Sequence, residues 1–85
     1  MSGDVTERVI RVIAATQHIS AETIRPESTF PELKIDSLDG INILFALEGE
    51  FNVDIPDEAA REIRSIREMV KGIEKLLAAK AQAGA

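Results

Sequence analysis

The sequence predicts an all-α protein, a four-helix bundle with a long first loop and a short third helix. Apolar residues recur at the spacing of an amphipathic helix in three separate segments. No segment shows the sustained apolar–polar alternation of a strand bounded by turn residues. The 85 residues, 45% of them hydrophobic, suffice for one small core. We therefore predict a single domain over residues 1–85, with residues 79–85 as a frayed tail.

The first helix is predicted over residues 4–16. Its charged residues Glu7, Arg8 and Arg11 lie off the apolar face. That face consists of Val5, Val9, Val12, Ile13 and Thr16.

A long connection follows, over about residues 17–35. Pro26 and Pro31 end any helix there, because proline lacks the backbone N–H and clashes with the preceding turn. A loop of this length is unusual in a small domain unless it is functional or held in place. We expect five apolar residues to hold it by burial in the core: Ile19, Ile24, Phe30, Leu33 and Ile35.

The second helix is predicted to begin at the stretch DSLD. Asp36 suits the N-cap position, and Asp39, three residues later, completes a pattern like a capping box. Both carboxylates also favour the positive end of the helix dipole. The helix should run to about Phe51, where the stretch NVDIP interrupts it.

Two further helices are predicted after Pro56. A short one covers about residues 57–63, and the last begins at Ser65, which forms a capping-box pattern with Glu68. The core stripe of the last helix consists of Ile66, Met69, Val70, Ile73, Leu76 and Leu77.

The second helix carries more apolar residues than one core face needs. One stripe, suited to the core, consists of Ile43, Leu44, Leu47 and Phe51. Leu38, Ile41 and Phe45 form a second stripe on another side. Either this stripe is exposed for a partner, or Leu38 and Phe45 close the core under residues 30–35. The acidic residues nearby favour exposure of Ile41 and Phe45 as docking residues.

Negative charge is concentrated in the middle of the chain. The net charge is −5, yet residues 27–62 contain ten acidic and two basic residues. This distribution disfavours nucleic acid as the partner and suits proteins with basic patches.

The sequence shows no sign of membrane insertion or secretion. No apolar run is long enough to span a bilayer, and the N-terminal stretch MSGDVTERV does not resemble a signal peptide. Cysteine is absent. We expect a cytoplasmic monomer.

Ser37 allows several kinds of chemistry. A serine nucleophile needs a base, but the only histidine is His18 at the end of the first helix, and there is no G-x-S-x-G elbow. The carboxylates lack the spacing of a calcium loop, and we predict no metal site. A helix N-terminus favours phosphate, because its backbone N–H groups are free and its dipole end is positive. An exposed hydroxyl there suits a tethered phosphodiester.

The stretch IDSLDGINILFALEGEFNVDIPDE resembles the acyl carrier proteins. Their signature is D-S-L at the start of the second helix, an apolar run, E-x-E-F, and I-P-D/E before the third helix. Asp36-Ser37-Leu38, Glu48, Glu50-Phe51 and Ile55-Pro56-Asp57 match this pattern, and the order of helices extends the resemblance over essentially the whole chain.

The resemblance implies a carrier that catalyses nothing itself. A phosphopantetheinyl transferase would attach 4′-phosphopantetheine from coenzyme A to Ser37, between Asp36 and Leu38, and acyl groups would be carried as thioesters. Partners would be acyl-transferring, condensing or ligating enzymes of fatty acid, lipid A or secondary-lipid synthesis. The docking residues would be Asp39, Ile41, Asn42, Phe45, Glu48, Asp57 and Glu58, and the acyl pocket would be lined by Leu44, Leu47, Phe51, Ile55 and Ile63.

Several positions depart from the pattern of fatty-acid carriers. Asn42, Gly49 and Arg61 replace acidic residues common in the family, Lys34 replaces a glycine, and Phe45 replaces a methionine. Four of these changes reduce negative charge near the expected docking face, which favours a specialised member over a housekeeping one. The alternative is a carrier-fold interaction module that regulates or scaffolds a complex without needing the arm.

Overall fold

The structure, a computed structural model, describes residues 2–83, with side chains over residues 5–81. Its helices are α1 (Ser2–Gln17), α2 (Ser37–Phe51), α3 (Asp57–Glu62) and α4 (Ile66–Ala83), with a 3-10 turn at Ala21–Thr23. No β-strand occurs within residues 2–83. The prediction of four helices with a short third one is confirmed.

The core forms where α1 packs against both α2 and α4. Its seven most deeply buried side chains come from these three helices: Val9, Ile13, Ile43, Leu47, Ile66, Met69 and Ile73. Full burial of such a side chain contributes roughly 1.5–3 kcal/mol. By contrast, α3 contains no buried residue, so it lies at the edge of the bundle.

The long first loop is held in place, as the sequence predicts. Ile24 and Ile35 are buried, and Ile19, Phe30 and Leu33 pack partly buried against the core. The same loop is joined to the connection between α3 and α4 by backbone hydrogen bonds. The N–H of Phe30 donates to the carbonyl of Arg64 at 3.0 Å, and that of Ile66 donates to the carbonyl of Ser28 at 3.0 Å.

The start of α4 follows the predicted cap. The N–H of Glu68 donates to the Ser65 hydroxyl oxygen at 3.2 Å. The Glu68 carboxylate in turn accepts the N–H of Arg64 at 3.1 Å. One backbone donor of the first turn, at Glu68, and one that precedes Ser65, at Arg64, are thereby satisfied.

The segment predicted as a frayed tail is helical in the structure as far as Ala83, where α4 ends. Its alanine, lysine and glutamine residues are strong helix formers. The Lys80 ammonium also donates to the carbonyl of Asn52 at 2.6 Å, which attaches this turn to the end of α2. Residues 84–85 lie outside the described residues.

Candidate functional site

Ser37 is the first residue of α2, and its side chain is exposed. The residue before it, Asp36, is the N-cap: its carboxylate accepts the N–H of Asp39 at 2.8 Å. The Asp39 carboxylate accepts the N–H of Asp36 at 3.5 Å, which completes the predicted capping box. The serine is therefore held at a fixed place on a rigid helix start.

The N–H groups of Ser37 and Leu38 have no hydrogen-bond acceptor among the described residues. They belong to the first turn, where an α-helix offers free donors and the positive end of its dipole. A phosphate bound at Ser37 would be stabilised by both.

The Ser37 hydroxyl has no hydrogen-bond partner in the described part of the chain, so no neighbouring base activates it. His18 is exposed and ends α1 with a positive φ of 57°. This arrangement lacks the nucleophile–base contact of a serine hydrolase. It suits a serine that is modified by another protein.

A cavity of about 690 Å³ opens beside Ser37. Ser37, Asp36 and Gly40 lie on its α2 side, and Arg61 lies on its α3 side. The apolar part of the wall consists of Phe30, Pro31, Ile35, Ile41, Ile43, Leu44, Ala60, Ile63 and Met69. The attachment site and a space for an apolar chain are thus adjacent.

The second apolar stripe of α2 is exposed. Leu38 is 73%, Ile41 47% and Phe45 67% exposed, and we call these three residues the α2 ridge. The expectation that Ile41 and Phe45 face solvent is confirmed. The alternative, in which Leu38 and Phe45 close the core, is wrong, because both side chains are largely exposed. Ile35 is buried in the core instead, with Phe30 and Leu33 packed against it.

Residues 7–73 match the family model described as "Phosphopantetheine attachment site". The chain is 35% identical to the acyl carrier protein of Thermosynechococcus vestitus over 77 residues, which cover 89% of this chain and 95% of that protein. The chain belongs to the acyl carrier protein family.

Other comparisons agree with this assignment. An acyl carrier protein of Helicobacter hepaticus is 39% identical over 72 residues, covering 84% of this chain and 95% of that protein. A mitochondrial acyl carrier protein of Dictyostelium discoideum is 43% identical over 77 residues, which are 91% of this chain but 64% of that protein's length. The crystal structure of an acyl carrier protein from Thermotoga maritima superposes with a TM-score of 0.80 at 27% identity, covering 91% of each chain.

Membership of this family makes the chain a carrier rather than an enzyme, with 4′-phosphopantetheine as its cofactor. Three features of this acyl carrier protein fit that cofactor: the exposed Ser37 hydroxyl, the free N–H groups of the first turn, and the adjoining cavity. Acyl carrier proteins act with partner enzymes. No helix in the described part of the chain is long and apolar enough to cross a membrane.

The predicted acyl-pocket residues of this carrier lie in three different places. Leu44 and Ile63 line the cavity beside Ser37. Ile55 lines a second cavity of about 360 Å³, which Ile63 also borders. Leu47 and Phe51 line neither cavity, and their contact with an acyl chain stays a prediction.

Position along α2 explains why Leu47 and Phe51 miss the cavity. Relative to Leu44, they are displaced by about 4.5 Å and about 10 Å along the helix axis, away from Ser37. Leu47 is completely buried in the core. Phe51 lies under Arg8, whose guanidinium carbon is 4.3 Å from the ring centroid.

The predicted polar docking residues of this carrier differ in their exposure and in whether their side chains already form hydrogen bonds. Asn42, Asp57 and Glu58 are exposed. Asp39 is half-buried in the capping box, and the half-buried Glu48 accepts the N–H of Ile55 at 2.8 Å. Glu48 therefore holds the loop between α2 and α3, a structural role that its acidic character alone does not reveal.

No group of three metal-ligating side chains comes together among the described residues.

The sequence did not indicate several residues of the cavity wall, above all Met69 and Arg64. Met69 has the spacing of an ordinary core residue, and nothing in the sequence indicates that it also borders a cavity.

Proposed function

We propose that this acyl carrier protein bears its 4′-phosphopantetheine arm on Ser37 and carries acyl groups in fatty acid, lipid A or secondary-lipid synthesis. The observation that carries the proposal is the position of Ser37, exposed at the capped start of α2 and at the edge of an apolar cavity. When bound, the arm supplies the thiol on which an acyl group is held as a thioester.

The residues around Ser37 have distinct roles in this proposal. Asp36 fixes the start of α2, so that the serine oxygen and the free N–H groups of Ser37 and Leu38 are presented together. Those N–H groups stabilise the phosphodiester. Leu38 stays exposed beside the attachment point, where a transferase can contact it.

The cavity beside Ser37 shelters the acyl chain. An acyl chain left in water costs about 0.8 kcal/mol for each CH₂ that could have been buried. Leu44 and Ile63 offer apolar contact close to the attachment point. Sheltering keeps the cargo from exposing a hydrophobic tail between enzymes.

Partner enzymes dock on the α2 ridge in this proposal. The ridge presents three apolar side chains, and exposed Asp57 and Glu58 lie at the start of α3. An apolar centre with a charged rim is the usual anatomy of a protein interface. The acids steer basic patches of acyl-transferring, condensing or ligating enzymes toward the ridge.

Intact mass spectrometry tests the attachment site. Incubation with a phosphopantetheinyl transferase, Mg²⁺ and coenzyme A should add one arm mass to the wild-type chain and none to Ser37→Ala. Ser20→Ala, which removes another exposed serine, should be modified like the wild type. An unmodified wild-type chain, or full modification of Ser37→Ala, would disprove the proposal.

The same variant separates a carrier from an interaction module. Pull-down of partners by Ser37→Ala at wild-type strength, with no cargo on the native protein, would favour a module that needs no arm. Mass spectrometry of the protein from its own cell would identify the cargo and hence the pathway.

A cytoplasmic location and a monomeric state are also part of the proposal. Cell fractionation tests the location, and light scattering tests the oligomeric state.

A further inference from the structure

The cavity beside Ser37 has two arginines in its wall. Arg61 belongs to the last turn of α3, and Arg64 lies in the connection between α3 and α4. Arg61 is one of only two basic residues in residues 27–62, where ten residues are acidic. Two cations therefore border the space next to the attachment point, in a part of the molecule that is otherwise mostly acidic.

Neither guanidinium group has a partner within the chain, as far as the structure describes it. Both arginines are exposed, and neither side chain forms a hydrogen bond or an ion pair among residues 5–81. Asp57 borders the same cavity one helical turn before Arg61, yet these two side chains form no ion pair. The positive charges of Arg61 and Arg64 are thus not used within the described fold.

Arg8, in α1, shows how an arginine of this protein behaves when it stabilises the fold. Its side chain donates to the Glu50 carboxylate at 2.9 Å and to the Glu50 carbonyl at 3.0 Å, and it lies over the Phe51 ring. Arg8 thereby joins α1 to the end of α2. Arg61 and Arg64 make no such contacts, so their charge is available to a ligand.

The backbone of Arg64 is held in place although its side chain is free. Its carbonyl accepts the N–H of Phe30 at 3.0 Å, and its N–H donates to the Glu68 carboxylate at 3.1 Å. The guanidinium is therefore attached to a fixed point of the fold. Fixing the backbone in advance lowers the entropy that binding a ligand costs.

An arginine matches a phosphate group in both geometry and charge. Its planar guanidinium offers N–H donors that bind two phosphate oxygens at once, and such charge-assisted hydrogen bonds are short and strong. The phosphodiester of a 4′-phosphopantetheine arm carries one negative charge, and attachment to Ser37 would keep it at the edge of this cavity. The contact would then be intramolecular, so it would not cost the translational entropy of association.

We propose that Arg61 and Arg64 are positioning residues that bind the phosphodiester of the arm and hold the first part of the arm at the α3 side of the cavity. This inference rests on the proposed attachment at Ser37. The contact consists of hydrogen bonds and ion pairs, and no covalent bond forms or breaks. A carboxylate on a partner enzyme is the other anion that two free arginines suit, but it would leave both arginines unchanged when the arm is attached.

NMR of the arginine side chains tests the inference in the wild-type protein. Attachment of the arm to the apo protein should shift the Nε–H resonances of Arg61 and Arg64 and leave that of Arg67, which lines neither cavity, in place. A concentration of about 1 M NaCl should reduce these shifts, because the Debye length falls to about 3 Å. Unshifted resonances of Arg61 and Arg64, in a protein whose mass confirms the arm at Ser37, would overturn the inference and leave the attachment intact.

Phosphorus NMR of the holo protein gives the reciprocal measurement. Arg61→Gln with Arg64→Gln should shift the phosphorus resonance of the arm and remove its dependence on salt. Arg25→Gln with Arg67→Gln removes the same charge from exposed arginines outside both cavities, and it should leave the resonance in place. Arg61→Lys with Arg64→Lys should restore the wild-type resonance only in part, because lysine keeps the charge but not the planar pair of donors. Equal resonances in the wild type and the first variant would overturn the inference.

Binding of the transferase to the apo protein distinguishes the two kinds of anion. Arginines that bind a carboxylate of the partner would weaken this binding when both are replaced by glutamine, with the phosphorus resonance of the holo protein unchanged. That combination would overturn the inference. Failure of the transferase to add an arm to the wild-type chain would instead contradict the attachment at Ser37, and with it both proposals.

Discussion

The two apolar faces of α2 meet different surroundings. Ile43 and Leu47, on the inner face, are 1% and 0% exposed, whereas Leu38 and Phe45, on the outer face, are 73% and 67% exposed. The inner face gains the free energy of burial in the core. The outer face gains none in the free protein, so burial in the core does not explain its apolar character, and we predict that it binds partners.

The two sides of the bundle differ in the same way. The side where α1 meets α2 and α4 is filled by close-packed aliphatic side chains. The side toward α3 contains two cavities and a helix without buried residues. We therefore predict that substitutions on the first side mainly change the free energy of unfolding and that substitutions on the second side mainly change binding.

The largest effect on folding is expected from Leu47→Ala. Removing a fully buried leucine side chain leaves a cavity in the core and should cost about 2–5 kcal/mol of unfolding free energy. Urea denaturation of the apo and acylated protein measures this loss. It should be equal in both states, because Leu47 lines neither cavity. A loss of unfolding free energy that is larger in the acylated protein would indicate that Leu47 contacts the acyl chain.

The next effect, on binding, is expected from Phe45→Ala. Removing an aromatic side chain from the centre of a docking face should weaken partner binding by about 2 kcal/mol, roughly 30-fold in Kd. Calorimetry with the transferase measures the affinity. The free energy of unfolding should change by less than about 0.5 kcal/mol, since the side chain is largely exposed. Unchanged affinity, or destabilisation comparable to that of Leu47→Ala, would remove the contrast between the two faces.

A smaller effect on stability is expected from Asp36→Ala. Loss of the N-cap should cost about 1 kcal/mol and loosen the helix start that presents Ser37. The urea concentration at the unfolding midpoint and the rate of arm attachment should both be lower than those of Asp54→Ala. Asp54 is an exposed carboxylate outside the helices, and its variant serves as the matched control. Identical behaviour of the two variants would show that the capping box is unimportant.

The smallest effect concerns pH and the long first loop. The N–H and hydroxyl of Thr29 both donate to the Glu32 carboxylate at 2.9 Å. The backbone N–H, followed by the hydroxyl, lowers the pKa of Glu32 from its ordinary value of 4.5. A lowered pKa in the folded state means that the contribution to stability is present above the unfolded pKa and is lost as pH falls through the folded pKa.

NMR titration of the Thr29 amide measures this effect. The amide resonance should report a midpoint below the ordinary pKa of glutamate, and Glu32→Gln should abolish the titration. A midpoint at the ordinary value would show that these hydrogen bonds do not persist in solution.

Local patterns in the sequence predicted the features of the site that depend on neighbouring residues. The capping box of Asp36 and Asp39 involves residues three apart, so the sequence contains the whole arrangement. The exposure of Phe45 was also predictable, because a helix with two apolar stripes can place only one against a single core. Docking at that residue stays a prediction.

Features that join distant segments were predicted less well. The cavity beside Ser37 brings together Phe30, Leu44, Ile63 and Met69, from the first loop, from α2, from the end of α3 and from α4. Its outline depends on where α3 lies, and no local pattern determines that. For the same reason, the sequence did not indicate that Leu47 and Phe51 lie outside this cavity.

The sequence by itself determined the helices, the position of Ser37 at the start of α2 and the family, because each depends on residues close together in the chain. Only the tertiary structure decided which apolar residues fill the core, which border the cavities and which face solvent. Leu44 and Leu47 have the same side chain and lie within one helical turn. They differ because the neighbours that surround each of them come from distant segments of the chain.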